Sequence, residues 1–287
     1  MKVLVANIED VMREAAARWT LIAYFFLSTL FIIIFASAIN LDIVDGALAG
    51  AKLFGKEMDM GNNAVSIEKI VMGTESVFAS ALYLFCTLLA IFATAHLVPR
   101  MQDKGTIDLY LSRPVGRVRL LLSRYVAGLI LASSNVIYLM GSIWLIVFWK
   151  TNVAHPRFLL AATIIIFVIA VLLAFAFFVG VMTSSTAVSI MTTYAITLFS
   201  TILVAHDKMA AAVSKDWQAW LIDGLYWVFP KTVELGQAVF VMVAGDQLGI
   251  PEKASRVLTN PAPYLSTAAF GIVCLVLASW LFTRKEF

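Results

Sequence analysis

The run FLLAATIIIFVIAVLLAFAFFVGVMT, from Phe158 to Thr183, contains no charged residue. A helix needs about 20 apolar residues to cross the hydrocarbon core of a membrane, and this run is long enough to do so. The ten-residue alternation typical of a membrane barrel is absent. The sequence therefore predicts an all-α integral membrane protein with six transmembrane helices, of which the other five are Trp19–Leu41, Val77–Leu97, Leu120–Trp149, Ala187–Ala205 and Tyr264–Thr283.

Composition excludes several classes of protein. Of the 287 residues, 61% are hydrophobic and only 14% are charged, whereas soluble domains are about one-quarter charged. The two cysteines, Cys86 and Cys274, both fall in predicted spans, which excludes a disulfide framework and a CxxC metal motif. No basic patch with interleaved aromatic residues lies in a soluble domain, so nucleic acid is not an expected partner. Without repeats or linkers, residues 1–287 are expected to form one transmembrane domain.

Charge sets the predicted orientation. The segment Arg100–Arg124 lies between the second and third runs and carries six of the 21 Lys and Arg residues. Positively charged loops stay on the cytoplasmic side. With this loop and both termini inside, the inner segments hold eleven of the 21 basic residues and six of the 18 acidic ones. The Met182–Thr186 connection then forms an inner hairpin, and residues 206–263 form an extracytoplasmic loop.

Two segments outside the spans carry helical patterns. In residues 1–18, apolar side chains recur at steps of three and four, which predicts an amphipathic interfacial helix; the alternative is a solvated helical leader. Ala36-Ser37-Ala38 resembles a signal-peptidase site, but the acidic residues before it argue against cleavage. In residues 206–263, Trp217 and Trp220 share a helical face and Pro230 interrupts the pattern. We expect two short outer or re-entrant helices there rather than a seventh crossing.

The loop at residues 100–119, called the basic loop below, has a short amphipathic pattern of its own. Thr106 can cap a helix, and Asp108 lies in its first turn, where the helix dipole favours a carboxylate. Pro114 ends that helix after about two turns, and Gly116 permits a tight turn into the next span. Arg119 and Arg124 are expected to project into the cytoplasm. The pattern predicts a rigid basic knob that could transmit force between a soluble partner and the spans.

The segment Gly105-Thr106-Ile107-Asp108-Leu109-Tyr110-Leu111-Ser112-Arg113-Pro114-Val115-Gly116-Arg117 resembles the signature loop of ABC-2 type exporter permeases. The leader, the six spans and Pro230-Lys231 with Glu234 in the outer loop are also similar to that family. Asp103 and Tyr110 depart from its usual residues. The resemblance implies a cytoplasmic coupling helix that docks in a cleft of a separate ATP-binding cassette subunit, with two copies of each chain, in the cell membrane of a prokaryote. The implied ATPase interface comprises Lys104, Gly105, Thr106, Ile107, Asp108, Leu109, Tyr110, Leu111, Ser112, Arg113, Pro114 and Arg117.

The chain itself lacks the motif G-x-x-x-x-G-K-[ST], so ATP and magnesium are expected on the partner. We therefore expect no catalytic residue, cofactor or metal in this chain. A loop that is basic only because it lies inside the cell is the alternative to a docking loop. The resemblance favours export; the substrate is not identified, although an amphipathic one would suit the polar and aromatic residues of the spans.

Hydroxyl groups form a stripe along the fifth predicted span. Thr186, Ser189, Thr193, Thr197 and Ser200 follow one another at steps of three and four residues, which places them on one helical face. They could line a translocation route. They could equally allow close helix packing, because a hydroxyl can bond to the preceding turn. The sequence leaves both interpretations open.

Ionisable residues are rare in the middle of the predicted spans. Glu75, His96 and His206 fall at span ends, where water is expected to reach them, and His155 is expected to be a surface turn residue. No cluster suitable for a metal or for proton transfer is evident. An integral membrane enzyme acting on lipid-linked substrates is the main alternative function, but it needs such a cluster at an interface. A structural anchor would leave the shape of the basic loop unexplained.

Overall fold

The computed structural model of the chain describes residues 19–44, 47–53, 56–57, 67–103, 105, 116–206, 209, 213, 216–245 and 252–285. The predicted helix at residues 1–18 lies outside them. The long helices are α1 (Trp19–Ala38), α2 (Ile67–Thr94), α4 (Arg117–Thr151), α5 (Pro156–Thr183), α6 (Thr186–Leu203) and α10 (Ala262–Arg284); the shorter ones are α3 (Leu97–Met101), α7 (Asp216–Val228), α8 (Thr232–Ala244) and α9 (Glu252–Thr259).

The predicted helical membrane architecture is confirmed in the part of the chain that is described. Five segments there are long and apolar enough to cross a membrane: Val71–Met101, Arg117–Thr151, Pro156–Thr183, Thr186–Leu203 and Ala262–Arg284. The first predicted span corresponds to α1, which has 20 residues and contains the apolar stretch Leu21–Ser37. The chain is therefore a multi-pass membrane protein.

A small antiparallel sheet beside α1 was not predicted, whereas the other elements described are helices, as expected of an all-α membrane domain. Strands β1 (Ile39–Val44), β2 (Ala47–Leu53) and β3 (Lys56–Glu57) follow α1 in that order. Ile39 pairs with Leu53, and a bulge shifts the register between Asp42 and Ile43. The sequence interpretation assigned residues 39–41 to the first span because they continue an apolar run. In the structure they leave the helix and pair their backbone with β2.

Helix α2 begins earlier than predicted. It starts at Ile67, ten residues before the predicted start at Val77, and includes Glu75, whose side chain is 2% exposed. The carboxylate of Glu75 lies 2.6 Å from Nδ1 of His155 at the start of α5. A polar side chain can be buried in a helix when a partner forms its hydrogen bond, and that partner is 80 residues away in the sequence.

Helix α5 forms the centre of the bundle. In the most apolar stretch of α5, 72% of the residues are buried, whereas 28% are buried in the corresponding stretches of α6 and α10. It packs against α2, α4, α6, α8 and α10. The long uncharged run from Phe158 to Thr183 is explained by this position, because a helix surrounded by other helices is apolar on every face. Helix α7 differs in having no buried residue.

Candidate functional site at the base of the basic loop

The structure describes only the two ends of the basic loop. Of the residues expected to contact an ATPase, Lys104 and residues 106–114 lie outside the described part of the chain. Gly105 is exposed and has a φ of +86°, a left-handed backbone conformation that glycine adopts without a steric penalty. Arg117 begins α4, after Gly116 in an extended conformation. The site is therefore built from the segments to which both ends of the loop attach.

The short helix α3 carries the first end of the loop and is firmly packed. Its residues Leu97, Val98 and Met101 are all buried. Two glycines allow neighbouring helices to approach it. A Cβ atom on Gly128 of α4 would lie 2.8 Å from Leu97 Cδ1, and one on Gly180 of α5 would lie 3.2 Å from Pro99 Cδ. The sequence thus places glycines where α4 and α5 must come close to α3.

These contacts belong to a hydrophobic cluster separate from the main core. The cluster joins α3 with α4, α5 and α10, so the base of the basic loop shares one packed interior with three long helices. Because interiors pack as densely as organic crystals, a displacement of α3 cannot leave its neighbours unaffected. Its buried members are Leu97, Val98, Met101, Leu120, Leu121, Ala127, Leu173, Phe177, Val181, Ala278 and Phe282.

Arg124 is buried within this region, which corrects an expectation from the sequence. It was expected to project into the cytoplasm, but it is 2% exposed, whereas Arg119 one turn earlier is exposed. Its Nη1 donates a hydrogen bond of 3.1 Å to the carbonyl oxygen of Leu97. A charged donor strengthens such a bond. Arg124 therefore links the start of α4 to α3, the two elements that flank the basic loop.

A polar cluster, which we call the Lys285 cluster, joins three parts of the chain. It consists of Gln102, Val181, Ser184 and Lys285. Lys285 Nζ donates to Gln102 Oε1 (2.6 Å), Ser184 Oγ (2.6 Å) and the Val181 carbonyl oxygen (2.8 Å). Ser184 Oγ donates to Gln102 Oε1 at 2.9 Å. Burial lowers the pKa of Lys285.

Gln102 and Arg117 add further bonds between the same segments. Gln102 Nε2 donates to the Gly180 carbonyl oxygen at 3.0 Å. Arg117 Nη1 donates to the carbonyl oxygens of Thr283 (3.2 Å) and Lys285 (2.8 Å) at the end of α10. Both ends of the basic loop, the α5–α6 hairpin and the end of α10 therefore lie together at one end of the bundle. We call this end the inner end.

The predicted hydroxyl stripe faces the interior of the protomer. Ser189, Thr193 and Ser200 are buried, and Thr186 and Thr197 are half-buried. Ser189, Thr193 and Thr197 each donate to the carbonyl oxygen four residues earlier, and Ser200 Oγ accepts a bond of 3.2 Å from the Thr232 backbone nitrogen. These bonds agree with the packing interpretation; the lining of a translocation route stays a prediction.

A protein-family model matches nearly the whole chain. Residues 8–287 match the model described as ABC-2 family transporter protein. The chain belongs to this family. A comparison with curated proteins gave no match. As a multi-pass member of the ABC-2 family, the chain is a transporter membrane subunit. Subunits of this family usually work with an ATPase subunit.

In this ABC-2 family member, sequence reasoning missed a buried acid–histidine pair at the other end of the bundle, the outer end. Glu75 and His155 were expected to be accessible to water but are buried, as is His96 beside α3 at the inner end. Glu75 Oε2 contacts His155 Nδ1 at 2.6 Å, while Glu75 Oε1 and His155 Nε2 lack a hydrogen-bond partner in the described chain. No local pattern reveals a pair separated by 80 residues. Both side chains of the pair are buried.

A second polar group lies at the outer end of this ABC-2 family member. Lys231 Nζ donates to Ser266 Oγ at 2.8 Å and lies 4.3 Å and 4.7 Å from the ring centroids of Tyr226 and Trp227. Burial lowers the pKa of Lys231, although the nearby Glu234 opposes the shift. A small pocket open to solvent adjoins these residues and Ser200. Among the residues described, three or more His, Cys, Asp and Glu never gather as a metal site would require.

Proposed function

We propose that this ABC-2 family member couples ATP hydrolysis by a separate ATP-binding cassette subunit to export across a prokaryotic cell membrane. The subunit would dock on the basic loop through Lys104, residues 105–114 and Arg117. The inner end would be cytoplasmic, which gives six crossings with both termini inside and residues 206–263 outside. Two copies of this chain would pair with two ATPases. The cargo would be amphipathic, and α7 and α8 would lie in the outer leaflet or re-enter it.

One observation carries the proposal: the base of the basic loop is fixed to the spans on both sides. The first end of the loop is packed through Leu97 and Met101, and the second is bonded through Arg117 and Arg124. A loop so anchored can pass a push from a soluble partner to α4, α5 and α10. A loop that is basic only for orientation has no need of these attachments, since charge alone determines its side.

Co-purification tests the docking of an ATPase. The tagged chain is extracted from its native host in a mild detergent, and the proteins that elute with it are identified and quantified by mass spectrometry. We expect a stoichiometric ATP-binding cassette subunit with the wild type. Arg113→Ala should reduce its recovery strongly. Arg256→Ala, an exposed arginine of α9 far from the basic loop, serves as the matched control and should leave recovery unchanged.

Two results would count against the proposal. The first is a wild-type chain that elutes without any ATP-binding cassette subunit. The second is equal loss of the subunit with Arg113→Ala and Arg256→Ala, because the effect would then not belong to the loop. Circular dichroism and the elution volume of each variant show whether it keeps its helices and its compact size.

A further inference from the structure

The Lys285 cluster goes beyond what docking of an ATPase requires. We propose that Lys285 is a positioning residue that makes the base of the basic loop, the α5–α6 hairpin and the end of α10 move as one rigid body. The proposal rests on the proposed function for the source of the motion. The contacts that produce the rigid body stand on the geometry of the inner end alone.

All three donors of the Lys285 ammonium group have an acceptor. A lysine ammonium has three N–H donors, and Lys285 has three acceptors within 2.8 Å. Gln102 belongs to the base of the basic loop, whereas Val181 and Ser184 belong to the end of α5 and the hairpin. A single side chain on the end of α10 therefore ties together two segments that are 79 to 82 positions apart in sequence; this separation follows from the residue numbers.

The Lys285 ammonium group lies beside the C-terminal end of α5. Ser184 has a φ of 53° and ends α5, and its backbone nitrogen bonds to the Gly180 carbonyl oxygen. The last carbonyl groups of a helix carry partial negative charge, which favours a cation beside them. The Val181 carbonyl is one of these, and it accepts from Lys285. Partial burial strengthens the attraction, because a low local dielectric screens it less than water does.

The backbone of Lys285 is itself held in place by hydrogen bonds. Its backbone carbonyl accepts from Arg117 Nη1 at 2.8 Å, and its backbone nitrogen donates to Leu281 at 3.0 Å. Arg117 begins α4 at the second end of the basic loop. The ammonium is therefore fixed relative to both ends of that loop, and Gln102 and Ser184 are aligned by the same side chain. Neighbouring Arg284 differs, because its guanidinium lies over the Trp280 ring at 4.2 Å.

The test measures whether two of the segments keep a fixed distance. Cysteines are introduced at Asp103 and Met182, which are both exposed, and nitroxide labels are attached. The native Cys86 and Cys274 are buried and do not compete for the label. Because both positions adjoin residues that contact the same ammonium group, the distance between the labels is obtained in nanodiscs from the dipolar broadening of continuous-wave electron paramagnetic resonance spectra. The full complex with its co-purified ATPase is used, without nucleotide and with ATP and vanadate.

In the protein with native Lys285 we expect one narrow distance population that is the same in both conditions. Lys285→Met removes the ammonium but keeps an apolar stem, and it should give a broader or second population. Ser184→Ala, a milder change in case Lys285→Met does not fold, should broaden the population to a smaller extent. Arg284→Met is the matched control and should retain the narrow population.

Two outcomes would overturn the proposal. One is a distribution in Lys285→Met and Ser184→Ala that equals that of native Lys285. The other is a shift between the nucleotide-free and vanadate-trapped states when Lys285 is present, since the segments would then not move together. If no ATPase co-purifies, the proposed function is wrong, and the motion driven by ATP is not expected. The nucleotide-free comparison of native Lys285 with Lys285→Met still decides whether Lys285 holds the segments together.

Discussion

Removal of one partner of the Glu75–His155 pair should destabilise the protein strongly. In His155→Leu the Glu75 carboxylate stays in a site where it is 2% exposed. One of its oxygens already lacks a hydrogen-bond partner in the described chain, and the other loses its contact with Nδ1. Leaving a buried polar group without its partner costs about 1–3 kcal/mol, and more where the group is charged. We expect the free energy of unfolding to fall by that amount.

The double variant separates the loss of a partner from the loss of packing. Replacing both members of a buried pair by apolar residues is often neutral or stabilising. Glu75→Leu combined with His155→Leu should therefore recover most of the stability lost in His155→Leu. The matched control is Asp223→Asn, because Asp223 is an exposed acid of α7. Changes at such positions usually stay within about 0.5 kcal/mol.

Equilibrium unfolding by sodium dodecyl sulfate in mixed micelles provides the measurement. The seven tryptophans of the chain report the transition by fluorescence. A cost below about 1 kcal/mol for His155→Leu would refute the reasoning, since it would match an ordinary substitution rather than the loss of a buried partner. A double variant that is no more stable than His155→Leu would also refute the reasoning. Either result would mean that Glu75 does not depend on His155 for its burial.

Two further predictions concern packing and charge. Gly128→Ala should lower the free energy of unfolding by about 1–3 kcal/mol, because the added Cβ would lie 2.8 Å from Leu97 Cδ1. The control is Gly141→Ala, whose added Cβ would have no atom within 4 Å; it should leave the free energy of unfolding unchanged or raise it slightly. Because burial lowers the pKa of Lys231, the unfolded chain binds that proton more tightly, and the stability of the wild type relative to Lys231→Met should rise as the pH approaches about 10. Unfolding curves of both proteins at several pH values measure this difference. If the stability relative to Lys231→Met instead falls as the pH rises, the rings of Tyr226 and Trp227 favour the charged form of Lys231.

The fold could be predicted where a single segment carried the signal. The run from Phe158 to Thr183 predicts its helix to within two residues of the observed start at Pro156, because a helix surrounded by others is apolar along its whole length. The sheet could have been found as well. Ile39, Leu41 and Ile43 alternate with less apolar residues, which is the period of a strand, but they directly continue a transmembrane run.

The features missed from the sequence depend on contacts between distant residues. From the sequence alone, Glu75 is expected to be accessible to water, and only the structure shows its contact with His155. Arg124 is likewise expected in the cytoplasm, and only the structure shows its hydrogen bond to Leu97. The candidate site at the base of the basic loop was also predictable only in part. The motif of the basic loop could be recognised from the sequence, whereas the link through Lys285 requires three segments to meet at one end of the bundle.

The central claim is that the basic loop meets an ATPase. Photo-crosslinking in the native host tests it most directly, with a photoreactive amino acid placed at Tyr110 in the loop or, as the control, at Trp149 near the end of α4 that lies away from the inner end. The account predicts a crosslink from position 110 to an ATP-binding cassette subunit and none from position 149. No crosslink to such a subunit from position 110, or equal crosslinks from both positions, would contradict it.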